Sequence, residues 1–117
     1  MRGAAFTPSH LLGWGSLGIL TLDTVRRLGP VVAAVARHDG DLARQMRRAA
    51  SSIVLNIAEA QGARDGNGRQ RLRTALGSAH ETRSAVELAI TWGFTKPDAE
   101  LVDALDRIAA TLHELAR

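Results

Sequence analysis

A chain of 117 residues without cysteine excludes a disulfide framework and thiolate metal sites, and it is long enough for one domain but not two. Aromatic residues make up only 3% and tyrosine is absent, so the core must be aliphatic and closely packed. That composition argues for helices rather than a sheet, whose strands favour aromatic and β-branched residues. The net charge of +3 is unevenly spread, with eight arginines against four acids from Arg37 to Arg73 and two arginines against five acids from Asp98 to Arg117. A basic middle and an acidic end suit an anionic partner, or neighbouring subunits of the same chain.

Residues 1–16 lack periodicity and hold glycine, proline and serine, so a loose arm is expected ahead of a bundle domain over residues 17–117. Arg2 and the run from Leu11 to Leu20 superficially resemble a secretion signal. Three glycines interrupt that run, and no small-x-small cleavage pattern follows. No segment reaches the ~18 apolar residues of a membrane span, so the expectation is a cytoplasmic protein that meets no membrane.

The first helix is expected from Leu17 to Arg37, with Leu17, Thr21, Val25, Leu28, Val32 and Val35 on one face. Pro30 lies inside it and removes a hydrogen bond to the carbonyl of Arg26, which predicts a kink or a break. His38-Asp39-Gly40-Asp41 reads as a turn whose aspartates suit the positive start of a second helix. That helix runs to Gln61, with Gly62 placed for a left-handed stop. At 100° per residue Leu42, Met46, Ala49, Ile53, Asn56 and Ala60 fall on one line, so Asn56 points inward among aliphatic neighbours. An unpaired amide there would cost a few kcal/mol, so it needs a partner.

A short connector leads to Asn67-Gly68-Arg69-Gln70, which has the pattern of a capping box. The third helix is expected to reach Trp92 and stop at Gly93, with Phe94 folding back on its last turn. The fourth opens either with Thr95 as cap and Asp98 as its box partner or one turn later, and its stripe of Leu101, Leu105, Ile108, Leu112 and Leu115 is unbroken. Four helices with short loops and no strand pattern predict an all-α, up-down four-helix bundle.

Two segments carry a resemblance. The run Arg48-Ala49-Ala50-Ser51-Ser52-Ile53-Val54-Leu55-Asn56-Ile57-Ala58-Glu59 resembles the signature of four-helix-bundle proteins first met as intervening-sequence proteins of large-subunit ribosomal RNA genes. Ala75-Leu76-Gly77-Ser78-Ala79-His80-Glu81-Thr82 is similar to that family's Ala-x-Gly-Ser-x-x-Glu segment on the following helix. The likeness extends over about residues 20–117. One departure is Ala60 directly after Glu59, where the family usually has glycine; here Gly62 comes two residues later. The resemblance implies a non-enzymatic protein that forms a homo-oligomer, a pentameric ring. Through relatives of the accessory protein of diversity-generating retroelements, it also implies partners among nucleic acids and a reverse transcriptase.

Three groups of residues are candidates for function. Arg44, Arg47 and Arg48 lie on the solvent side of the second helix, and Arg64, Arg69, Arg71 and Arg73 surround the following loop and helix start. Guanidinium forks pair bidentately with phosphates, so these seven are candidate contacts to RNA or DNA. No aromatic residues are interleaved with them, which points to backbone-driven binding with little sequence specificity. The other use for these arginines is pairing with the acidic fourth helix or with a neighbouring subunit, in a scaffold that binds only protein. On the third helix, Ser78, Glu81, Ala85, Leu88 and Trp92 line up opposite the stripe of Leu72, Ala75, Leu76, Ala79, Val86, Ala89 and Ile90. With Leu55, the apolar members Ala85, Leu88 and Trp92 make a candidate oligomer interface. Asn56, Glu59, Glu81 and Arg83 are expected to form one polar cluster fixing helix register. No Glu-x-x-His pair, nucleophile arrangement or phosphate-binding loop is present, so no enzyme, metal or cofactor is expected.

Overall fold

The computed structural model describes residues 15–63 and 67–117, which form four helices. These are α1 (Ser16–Ala36), α2 (Gly40–Gly62), α3 (Asn67–Thr91) and α4 (Ala99–Leu115). Each packs on its neighbours in sequence, and α4 returns to α1, closing an up-down bundle about 46 Å long. Of the expected arm, residues 1–14 lie outside the described residues. Gly15 is already in the right-handed helical region, so α1 begins at Ser16, a residue earlier than the apolar stripe indicates.

The termini follow from local chemistry. Asp39 caps α2 by accepting from the Leu42 amide at 3.0 Å, and Asp98 does the same for α4 with the Leu101 amide at 3.0 Å. The later of the two expected starts for α4 is therefore the one adopted. At the end of α3, Gly93 takes φ +78°, and the amides of Gly93 and Phe94 reach the Ile90 and Ala89 carbonyls, each at 2.9 Å. Glycine suits that left-handed position because it has no Cβ to clash. The chain turn this creates lays Phe94 parallel to His38, with ring centroids 4.9 Å apart.

Two expectations are corrected. Gly62 is not a left-handed stop, since Gly93 alone has positive φ among the described residues; α2 ends through an extended Ala63 at φ −78°, ψ 134°. Of the kink or break expected at Pro30, the break does not occur: α1 is continuous from Ser16 to Ala36 with the proline at its exposed surface.

The core is aliphatic in two clusters. One gathers Leu28, Val32, Val35, Leu42, Met46, Val86, Leu101 and Leu105 at the end of the bundle holding the α1–α2 turn. The other gathers Leu17, Ile53, Ile57, Leu72, Ile108 and Leu112 towards the opposite end. Each fully buried side chain of this size contributes about 1.5–3 kcal/mol. Near the border between them sit the buried polar residues Thr21, Asn56, Ser78 and Thr82. Thr21 and Thr82 donate to carbonyls four residues back, at 2.7 and 2.8 Å, so their hydroxyls are satisfied without crossing the core. Thr24 is buried in the register where Val25 was expected; Val25 sits beside it on the flank of α1 that faces α2, only partly covered.

Candidate nucleic-acid interface

The inward stripe of α2 determines what faces outward. With Leu42, Met46, Ala49 and Ile53 turned to the core, Arg44, Arg47, Arg48 and Ser51 are left on the exposed side. These four, with Asp41 and Gln45, line a shallow surface concavity of about 590 Å³. Arg44 pairs with Asp41 one turn away. Arg48 reaches Glu81 on α3 at 3.2 Å, both side chains remaining well exposed. Arg47 makes no ion pair or hydrogen bond among the described residues.

The second arginine group opens α3. Arg69, Arg71 and Arg73 are exposed, and Arg71 lies 3.5 Å from Glu59. Arg69 and Arg73 have no partner among the described residues, and Arg64 lies outside them. Because Arg48 is level with Glu81 and Arg71 with Glu59, the two groups sit at different heights on one helical hairpin. The step of eleven residues from Arg48 to Glu59 separates them by roughly 16 Å along α2. The basic surface is two patches, not a single one.

The acids of the α4 segment that form ion pairs do so with other arginines. Asp98 and Glu100 hold Arg27 of α1 at 3.5 and 2.9 Å, and Asp106 holds Arg83 of α3. The hydrogen bond to Glu100, reinforced by the charge of Asp98, raises the pKa of Arg27 above the ordinary guanidinium value. The hydrogen bond to Asp106 does the same for Arg83. None of the six described candidate arginines is paired with α4 among the described residues. The alternative use of these arginines, pairing with the acidic helix of the same chain, is not seen among the described residues.

The expected polar cluster does not form. Asn56 is inward at 8% exposure, but its amide nitrogen donates to Ser52 of its own helix, to the carbonyl at 2.9 Å and the hydroxyl at 3.0 Å. The Ser52 hydroxyl also accepts from Ser78 on α3 at 2.8 Å. Glu59, Glu81 and Arg83 face three different partners, Arg71, Arg48 and the Asp106–Glu87 pair. The physical reason is angular. Glu59 and Glu81 lie on the rims of α2 and α3, while Arg83 lies on the other flank of α3, towards α4. Sequence reasoning missed Ser52 and Ser78. The four-residue spacing of Ser52 and Asn56 is the signal that would have found the first.

The candidate interface is also divided. Leu55, Leu88 and Trp92 are 62%, 46% and 67% exposed, but Ala85 is buried at 8% in the core cluster beside α2. Ala85 falls inside because the face of α3 carrying Ser78 and Ala85 is the one α2 covers. Leu55 is level with the first third of α3, so it stands roughly 20 Å from Leu88 along the bundle. Trp92 stacks on Phe94 with centroids 6.2 Å apart, at the end that carries His38.

Residues 32–114 match the family described as 23S rRNA-intervening sequence protein, and the chain belongs to that family. Its two motifs meet in the structure, since Ser52 and Arg48 of the first contact Ser78 and Glu81 of the second. A crystal structure of a protein with unknown function from the S23 ribosomal protein family of Bacteroides thetaiotaomicron VPI-5482 is similar at a TM-score of 0.79. It covers 86% of this chain and 98% of that chain at 21% sequence identity, a likeness of fold alone. No curated protein matches the chain. Among the described residues no helix is long and apolar enough to cross a membrane, and no group of three or more histidine, aspartate or glutamate side chains could hold a metal ion.

Proposed function

We propose that this protein is a non-enzymatic, homo-oligomeric helical bundle that binds nucleic acid, RNA in the first instance, through the two arginine patches of the α2–α3 hairpin. The observation that carries this reading is the state of those arginines. Six are exposed on one hairpin, none is engaged by the acidic helix, and Arg47, Arg69 and Arg73 have no partner among the described residues. Arg44, Arg48 and Arg71 are held only by exposed carboxylates, and exposed pairs are worth little, so phosphate oxygens can displace them. Arginine presents a fork to two phosphate oxygens at once, which suits contacts to a backbone.

Binding of this kind is weak per site and indifferent to sequence, and repetition around an oligomer multiplies it. The test is a salt titration with labelled RNA of unrelated sequences. Affinity should fall steeply as salt rises, with a log–log slope of about −0.7 for each phosphate neutralised on a single strand. Changing Arg69 and Arg73 to Ala should weaken every sequence alike and flatten that slope by about 1.4. Wild-type protein that retains no RNA at low salt would overturn the reading and leave a protein-only scaffold.

A further inference from the structure

Beside the basic shelf of α2 runs a second recess, between α1 and α2. It has a volume of about 220 Å³, and its walls are Val25, Leu28, Gly29, Val32, Ala33 and Ala36 of α1 facing Ala50 of α2. Its only polar lining comes from Arg47 and Ser51. Those same two residues also line the shelf, so the apolar recess and the cationic concavity share a rim. We propose that this recess takes a single unstacked nucleobase of a strand whose phosphates lie on Arg44 and Arg48, which makes the protein selective for single-stranded over duplex nucleic acid. The proposal rests on the reading of the arginines as phosphate contacts.

Three observations narrow the occupant. The recess is smaller than the ~300–1,000 Å³ that encloses a drug-sized ligand, so it suits one heterocycle rather than a helix or a stacked pair. Its chemistry is apolar wall on one side and unpaired guanidinium on the other, which complements a flat, weakly polar ring tethered to an anionic chain. A guanidinium plane stacks on a base face, and Arg47 has no competing partner among the described residues. The wall is also open at Gly29, where an added Cβ would meet nothing within 4 Å.

A duplex cannot use such a site without extruding a base, which costs a few kcal/mol, whereas a single strand presents bases already unstacked. Ser51 and Arg47 offer too few polar groups to tell one base from another, so the site discriminates strandedness and not sequence.

The experiment compares dissociation constants for a labelled single-stranded RNA, the same strand with abasic residues, and the matching duplex at one ionic strength. Wild-type protein should bind the intact strand about tenfold more tightly than the abasic one, the scale of one stacked base. Gly29→Leu fills the recess and should erase that margin, leaving affinity for the abasic strand and the assembly mass unchanged. Ala33→Leu, on the same wall, should do the same and guards against a folding defect in the first variant. Equal binding of intact and abasic strands by the wild type would overturn the base site while leaving the arginine reading in place. A change of assembly mass in both variants would overturn it too, showing the recess to be a contact between copies. Absence of binding to all three probes at low salt would overturn both readings together.

Discussion

Asn56 combines a satisfied nitrogen with an oxygen that is buried and has no partner among the described residues. Its two hydrogen bonds go to Ser52, whose carbonyl and hydroxyl keep other partners if the amide is lost, the hydroxyl through Ser78. A buried acceptor without a partner costs about 1–3 kcal/mol, while an apolar group of similar shape avoids that cost. Asn56→Leu should therefore stabilise the protein by roughly 1 kcal/mol, read as a higher denaturation midpoint with an unchanged slope. A lower midpoint together with a smaller assembly would show that a neighbouring chain supplies the missing donor. Ser52→Ala should act in the opposite direction, because it strips the Ser78 hydroxyl of its partner.

At the scale of elements, the caps carry what the loops do not. Asp98 both caps α4 and lies 3.5 Å from Arg27, so two explanations compete for its role. Loss of a cap costs about 0.5–2 kcal/mol, and a half-exposed ion pair of this length contributes less. Asp98→Ala should lower stability by about 1 kcal/mol, and Asp98→Asn should keep most of it, since an amide oxygen still accepts from Leu101. An Asn variant as unstable as the Ala one would assign the effect to Arg27 instead.

The elements were also the part most legible in the sequence. Every member of the α2 stripe from Leu42 to Ala60 is buried as its spacing predicts, and so are Leu101, Leu105, Ile108 and Leu112. Helical periodicity is a property of one helix, and burial follows from it directly. What spacing along one helix cannot supply is the identity of the neighbour on each flank. That is why Arg83 turns out to face Asp106, and Ser78 and Ala85 to face α2. The same limit hid the recess between α1 and α2, whose walls belong to two helices. Gly62 misled for a different reason: glycine permits a left-handed stop, but the route into α3 uses an extended Ala63.

For the whole molecule, the large exposed apolar side chains among the described residues fall in two places: Ile19, Leu22 and Leu55 on α1 and α2, and Leu88 with Trp92 near the α3–α4 loop. Two distinct patches on one chain suit a heterologous contact, which closes into a ring when its rotation permits. Leu88→Glu combined with Trp92→Glu should dissociate the proposed assembly in a mass measurement while leaving helicity largely intact. A double variant that keeps the wild-type mass would remove Leu88 and Trp92 from the interface.

Leu17 and Ala116 share one core cluster, so the bundle is entered and left at one pole, the same pole that carries the end of α2 and the start of α3. The opposite pole is clamped by Asp39, Asp98, the Gly93 turn and the His38–Phe94 stack. The caps and ring stack of that pole predict that opening begins at the other one, where Arg69 and Arg71 stand. Amide protons of Ala58–Gly62 and the first turns of α3 should exchange with solvent faster than those of Met46–Ala50, and bound RNA should slow the former selectively. Uniform protection along α2 would contradict this. On the proposed function, a nucleic acid settling on that pole would act as a latch between α2 and α3.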